Sequence, residues 1–170
     1  MCPGIPVSLT TSAGIEPDPD RRLELIEAWT ELPELVTANQ GEAGIVELCR
    51  HLIARGVGIE AGLLSTADAE AFARSDLAGS CFRVLVEPLD ADPEQAVAHA
   101  AAIEEILDRA AIDLEQVHHG DGVATWAVAA RALGRGHGIR TGLEDTTVLP
   151  DGRPAAHNAA LVRVAAAMMT

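Results

Sequence analysis

The feature that most constrains this chain is its alternation of strand-like and helix-like stretches, which is sharpest between residues 116 and 145. Residues 116–119 read as a short strand that stops at the corner His118-His119-Gly120-Asp121-Gly122. Residues 123–135 carry apolar side chains at helical spacing, and Gly134 and Gly136 lie where a helix C-cap belongs. Residues 138–143 read as the next strand, which delivers Glu144 and Asp145 at its carboxyl end. Two strands joined through one helix run parallel, with the helix packed on a sheet face. In such sheets the chemistry gathers beyond the carboxyl ends of the strands, where His118, His119, Glu144 and Asp145 all fall.

The same unit recurs along the chain. Earlier strands are expected at residues 5–11, 35–39, 57–64 and 81–87. Asp18 and Pro19 open a helix to about residue 31, residues 42–55 form a helix closed by Gly56, and Thr66 caps a third to about Arg74. Asp92 and Pro93 repeat the cap-plus-proline start for a helix to about Ala110, and residues 155–168 make a closing helix. The fold class is therefore α/β, with six consecutive βα units in one domain over residues 1–170. Such a run gives an open doubly wound sheet or part of a (β/α)₈ barrel. A complete barrel takes eight strands and about 250 residues, more than the 170 here.

Charge narrows the ligands. Against 12 Lys and Arg stand 26 Asp and Glu, a net charge of −14, so the molecular field repels nucleic acid and anionic membrane. An anionic substrate needs a local cation, which singles out Arg140. No apolar run approaches the ~18 residues of a spanning helix and no signal peptide precedes the fold, so a soluble, cytoplasmic protein is expected. Cys2, Cys49 and Cys81 form no C-x-x-C pair and read as reduced, buried thiols. With Trp29, Trp126, Phe72 and Phe82 as the aromatic complement, the core must be aliphatic.

Polar residues gather at every expected strand end: Thr11-Ser12, residues 37–39, Glu60, Glu87, His118-His119 and Glu144-Asp145. On a strand over residues 138–143, Arg140, Gly142 and Glu144 would alternate onto one face. That pair is either a structural ion pair, the commoner case, or a metal ligand beside an anion clamp, with Gly142 leaving room for a ligand. Asp145 lies close enough to Arg140 for supporting or proton-relay work. His118 and His119 point to opposite faces of a strand and cannot easily share one metal, so one belongs to the core or to support. His51, His99, His137 and His157 read as surface or packing residues. Asp121-Gly122 is a better-placed anion site than the glycine-rich 134–138 turn, which follows a helix rather than opening one.

Three motifs carry a family resemblance: H-H-G-D-G-x-x-T-W from His118, G-x-R-x-G-L-E-D from Gly138, and G-x-x-A-x-x-N-x-x-L-V from Gly152. With R-x-x-x-I-x-x-W-x-x-L-P from Arg22, Thr37-Ala38-Asn39 and Gly58-Ile59-Glu60, they resemble the β-keto acid cleavage enzymes from about Pro3 to the C-terminus. The resemblance implies a zinc-dependent (β/α)₈ barrel that condenses a β-keto acid with acetyl-CoA, giving acetoacetate and a new CoA thioester in a retro-Claisen type reaction. It implies Glu144 as the carboxylate zinc ligand, Arg140 as the substrate-anchoring arginine and Asp145 as its partner in proton transfer. It also implies that Thr11, Ser12, Gly14, Thr37 and Glu60 line the substrate.

One departure qualifies it. The family's other zinc ligands are an H-x-H pair on the second barrel strand, and this sequence contains no H-x-H. The expectation is a barrel whose strands one and two are missing from this chain, with cleavage activity impaired. The alternative is a catalytically inactive partial barrel acting as an interaction or oligomer-forming protein. The expected partners are a small β-keto acid, acetyl-CoA and further copies of the chain.

Overall fold

A computed structural model describes residues 4–170, so the thiol reading of Cys2 lies outside the described residues. Among the described residues six strands and six α-helices alternate: β1 Ser8–Thr10, α1 Pro19–Glu27, β2 Leu35–Asn39, α2 Ile45–Ala54, β3 Gly58–Leu63, α3 Thr66–Arg74, β4 Arg83–Val86, α4 Pro93–Arg109, β5 Gln116–His118, α5 Thr125–Gly134, β6 Gly138–Ile139 and α6 Asn158–Met168. The strands form one parallel sheet in chain order, each beside its predecessor. A doubly wound sheet reverses its strand order at a switch point, and this one does not. Sequential parallel order with right-handed crossovers lays successive helices on one face, which is how a (β/α)₈ wall is built.

The two faces differ in chemistry. Val36, Ala38, Ile59, Ala61, Val84 and Val86 are buried with Leu48, Leu52, Phe72, Ile103 and Leu107 of the helices in one aliphatic core. Their strand neighbours Thr37, Glu60 and Arg83 lie in one register row on the opposite, polar face. Cys49 and Cys81 are buried free thiols in that core, and burial pushes them up to about 11 and about 12.

Capping follows the sequence closely. Asp18 accepts the N–H of Asp20 and Arg21 with Pro19 in the first turn, and Asp92 accepts that of Gln95 with Pro93 behind it. At α3 the cap is Ser65, whose hydroxyl accepts the Asp68 N–H, so Thr66 is the first helical residue rather than the cap.

The largest difference from expectation is β6, which ends at Ile139 instead of running to residue 143. The Arg140 N–H still reaches the His118 carbonyl at 3.0 Å, but the Gly142 carbonyl then accepts the N–H of both Asp145 and Thr146 and closes a turn. Asn158 Oδ1, at the start of α6, accepts the Leu143 N–H at 3.1 Å and would sit 3.2 Å from a Cβ at position 142. Those bonds outcompete a continued ladder. β1 is also shorter than expected, and α6 starts at Asn158 rather than residue 155.

Candidate functional site

On the polar face lies a cleft of about 630 Å³ lined by Ser12, Thr37, Glu60, Arg83, Arg140 and Glu144 among others. Glu60 organises its floor. Its carboxylate accepts from Ser8 Oγ, from Thr37 Oγ1 at 3.0 Å and from Arg83 Nε at 2.7 Å, and Arg83 adds a second, closer contact. Burial would raise this carboxyl, but those hydrogen bonds and the Arg83 charge bring it below the usual range, so it stays ionised.

The H-H-G-D-G-x-x-T-W stretch builds the other end. His118 turns to the helix side, where it is buried, stacks on His137 at 4.8 Å and meets Gln116 Oε1 at 3.2 Å. His119 turns the opposite way, as alternation requires, and is clamped between two carboxylates: Asp145 Oδ1 at 3.2 Å from Nδ1 and Glu87 Oε2 at 3.2 Å from Nε2. Gly120 makes the corner possible, because a Cβ there would come within 2.9 Å of the Ala124 carbonyl oxygen. Next, the Gly122 N–H donates to the Asp145 carbonyl at 2.7 Å, and Thr125 Oγ1 donates to Gly120 O at 3.0 Å. Trp126 Nε1 donates to Val148 O at 2.9 Å. The motif thus pins the turn that carries Asp145 from two sides.

Arg140 reaches across this turn. Its Nη2 lies 2.6 Å from Glu144 Oε2 and 3.4 Å from Asp145 Oδ1, and its Nη1 3.5 Å from His119 Nε2. Burial works against ionisation of Asp145, but His119, Arg140 and the Gly142 N–H hold it below the ordinary carboxylate value. For His119, burial is outweighed by Asp145 and Glu87, which raise it. The result is a pocket in which the Arg83 and Arg140 guanidinium groups sit among carboxylates, with Arg140 beside the buried ionised Asp145.

Of the expected residues, Ser12, Thr37, Glu60, Arg140 and Glu144 line the cleft, and Asp145 lines a smaller hollow of about 110 Å³ next to it. Thr11 and Gly14 do not line the cleft. Thr11 is buried with Oγ1 donating to the Thr37 carbonyl, and the Gly14 N–H donates to Ser12 Oγ. The shared strand face of Arg140 and Glu144 is corrected, because β6 stops before Arg140 and the two meet across the turn instead. The Glu144 side chain is 84% exposed and bonded to Arg140. Among the described residues no three His, Cys, Asp or Glu side chains converge at metal-holding geometry. The Asp121-Gly122 anion reading is also corrected, since the Gly122 N–H is spent on Asp145. Arg83 and Ser8 were invisible to the sequence reading. The signal that finds Arg83 is strand register, which sets it directly beside Glu60.

A family model described as beta-keto acid cleavage enzyme matches residues 81–170, the part that holds Glu87, His119, Arg140 and Asp145. Comparison with curated proteins finds no match. Among solved structures, a mandelate racemase/muconate lactonizing enzyme from Roseiflexus sp. is similar at 21% identity and a TM-score of 0.41. The alignment covers 75% of this chain and 35% of that one, so the chain spans about a third of that relative's length. No described helix is long and apolar enough to cross a membrane.

Proposed function

This chain belongs to the beta-keto acid cleavage enzyme family, and from that premise we propose that its cleft binds a short β-keto acid for retro-Claisen type acyl transfer with acetyl-CoA. The products would be acetoacetate and a new CoA thioester. The observation that carries this reading is Arg140, a cation at the mouth of a cleft in a chain of net charge −14, with the buried ionised Asp145 3.4 Å away. In this reading the guanidinium takes the substrate carboxylate, which aligns the carbon between acid and ketone with Asp145 for proton removal. Thr37, Ser12 and Glu60 face the remainder of the substrate, while Thr11 and Gly14 hold the neighbouring backbone.

Zinc is the Lewis acid that the family resemblance implies, and Glu144 is our candidate for its carboxylate donor. The residues described do not fit the ion by themselves, because Glu144 has no converging His, Cys, Asp or Glu partners. Thioester turnover by this chain alone is expected to be absent across a screen of short β-keto acids with acetyl-CoA and added zinc. Turnover that disappears in Asp145→Asn would refute that expectation.

Binding tests the reading itself. Titration calorimetry with acetoacetate, itself a β-keto acid, should give saturable binding that weakens at least tenfold in Arg140→Met, about 1.4 kcal/mol or more. Affinity indifferent to that substitution would sink the proposal. A second reading, an inactive partial barrel that associates with other chains, is favoured by the exposed Ile5, Val7 and Leu9 along the β1 edge.

A further inference from the structure

We propose that the outer side of α6 docks into the groove between β1 and α1 of a second copy of this chain, in a head-to-tail contact. The contact is independent of the β-keto acid reading, because it lies beside α1 rather than in the cleft. α6 is short of polar residues. Apart from Asn158 and Arg163 every residue of the helix is apolar, and none is acidic, in a chain with 26 Asp and Glu. Leu161 and Ala165 are buried on one side against Trp126, with Val164 and Met168 packed beside them. Ala159, Val162, Arg163 and Ala166 recur at steps of three and four, so they share the opposite side, and all four are exposed. Met169 extends that stripe past the helix end and is exposed too. A helix that packs on one side only gives its outer side to polar residues, whereas one that is apolar all round is covered on both.

The groove is the counterpart of that stripe. A hollow of about 310 Å³ lies beside α1, lined by Thr11, Ile15, Glu16, Leu25, Ile26 and Trp29 among others. Ile15 is 71% exposed and Leu25 43%, so no described residue roofs it. Charge selects the occupant. Around the groove, α1 and the turn before it hold Glu16, Asp18, Asp20, Glu24 and Glu27 against Arg21 and the buried Arg22. Such a rim favours an apolar helix that bears a cation and no carboxylate. Of the six described helices only α5 and α6 lack acidic residues, and Arg131 of α5 is spent on Glu104. That leaves α6, with its exposed Arg163. α6 packs against Ile139 of β6, and the groove adjoins β1 at the other margin of the six-stranded sheet. Both surfaces stay exposed in the single chain, so the helix of one copy meets the groove of the next. Such a heterologous contact closes into a ring or runs on as a filament.

Complementation between two surface variants of the full chain tests this arrangement. Leu25→Asp spoils the groove and Val162→Asp spoils the helix side, both at exposed positions. Circular dichroism checks that each keeps the fold of the parent, and Leu25→Lys or Val162→Lys replaces a variant that does not. Light scattering coupled to size-exclusion chromatography should find the parent assembled and each variant alone at the 17.7 kDa of one chain. An equimolar mixture of the two should give a species of two chains and nothing larger, because one intact groove then meets one intact helix. At low salt Arg163→Glu should raise the dissociation constant of the parent assembly about fivefold, and Arg74→Glu on α3 should leave it nearly unchanged. A monomeric parent, single variants of the parent's size, or a mixture that stays monomeric would overturn the proposal. Assembly lost in Leu25→Asp but kept in Val162→Asp would overturn it in favour of two β1–α1 margins facing each other. A monomeric parent that binds phosphatidylglycerol vesicles, with binding lost in Val162→Asp, would overturn it in favour of a lipid surface.

Discussion

His118 and His119 are chemically identical neighbours with opposite fates, because a strand sends consecutive side chains to opposite faces. Burial lowers His118 from 6.5 to about 4, helped by the nearby His137 and Arg131 charges. An unfolded chain protonates this histidine as pH falls below about 6.5, whereas the folded one resists until about 4, so stability is present above that window and lost as pH drops through it. The loss should approach about 3 kcal/mol at its limit. His119 behaves in the other sense. Its raised value makes its contribution complete below about 6.5 and lost as pH rises through its folded value, so it does not offset the change in the acid window. The depressed Asp145 and Glu60 add their own loss only below the usual carboxylate range. Urea melts between pH 7 and pH 4, followed by tryptophan fluorescence, should therefore show a falling stability that flattens in His118→Phe. An equal pH slope in that variant would refute the assignment.

At the scale of elements, the β5–α5 corner and the β6–α6 turn form one unit. Gly122, Thr125 and Trp126 all donate into or beside the 145–148 stretch, so the corner motif is a scaffold for Asp145 as much as a helix start. Gly120 is the position where this scaffold tolerates nothing larger. Its missing Cβ would lie 2.9 Å from the Ala124 carbonyl oxygen and 3.0 Å from Val128 Cγ2, so the backbone ahead of α5 would have to shift to make room. Gly120→Ala should cost about 1–3 kcal/mol by overpacking and should weaken acetoacetate binding as the turn shifts. Circular-dichroism melting and calorimetry check both. Gly79→Ala, where a Cβ meets nothing within 4 Å, is the matched control and should be close to neutral.

For the whole molecule, the sheet order leaves β1 with a neighbour on one side only. Ile5 is 65% exposed, Val7 50% and Leu9 45%, an apolar margin beside unpaired strand backbone. Such an edge is a template for association. Light scattering coupled to size-exclusion chromatography should find assemblies larger than one 17.7 kDa chain, shifted toward monomer in the double variant Val7→Lys, Leu9→Lys. A sharp monomer peak for the parent chain would show that this margin is harmless.

Much of this was legible before any coordinates. Period-2 and period-3.6 patterning, Asp-Pro helix starts and closing glycines placed the βα units, because each is a local signal read over one or two turns of chain. The neighbourhood of Arg140, Glu144 and Asp145 was equally legible, since the three are close in sequence. What only the tertiary structure decided were the relations set by distant partners. Strand register put Arg83 beside Glu60, across 23 residues. Asn158 and Gly122 drew residues 142–145 into a turn where a lone strand pattern predicted continuation, and so turned Asp145 inward toward His119 and left Glu144 outside. Alternation could say that the two histidines part company. Which of them met the helices depended on which face the crossover helices cover, a property of the whole sheet that no local stretch encodes.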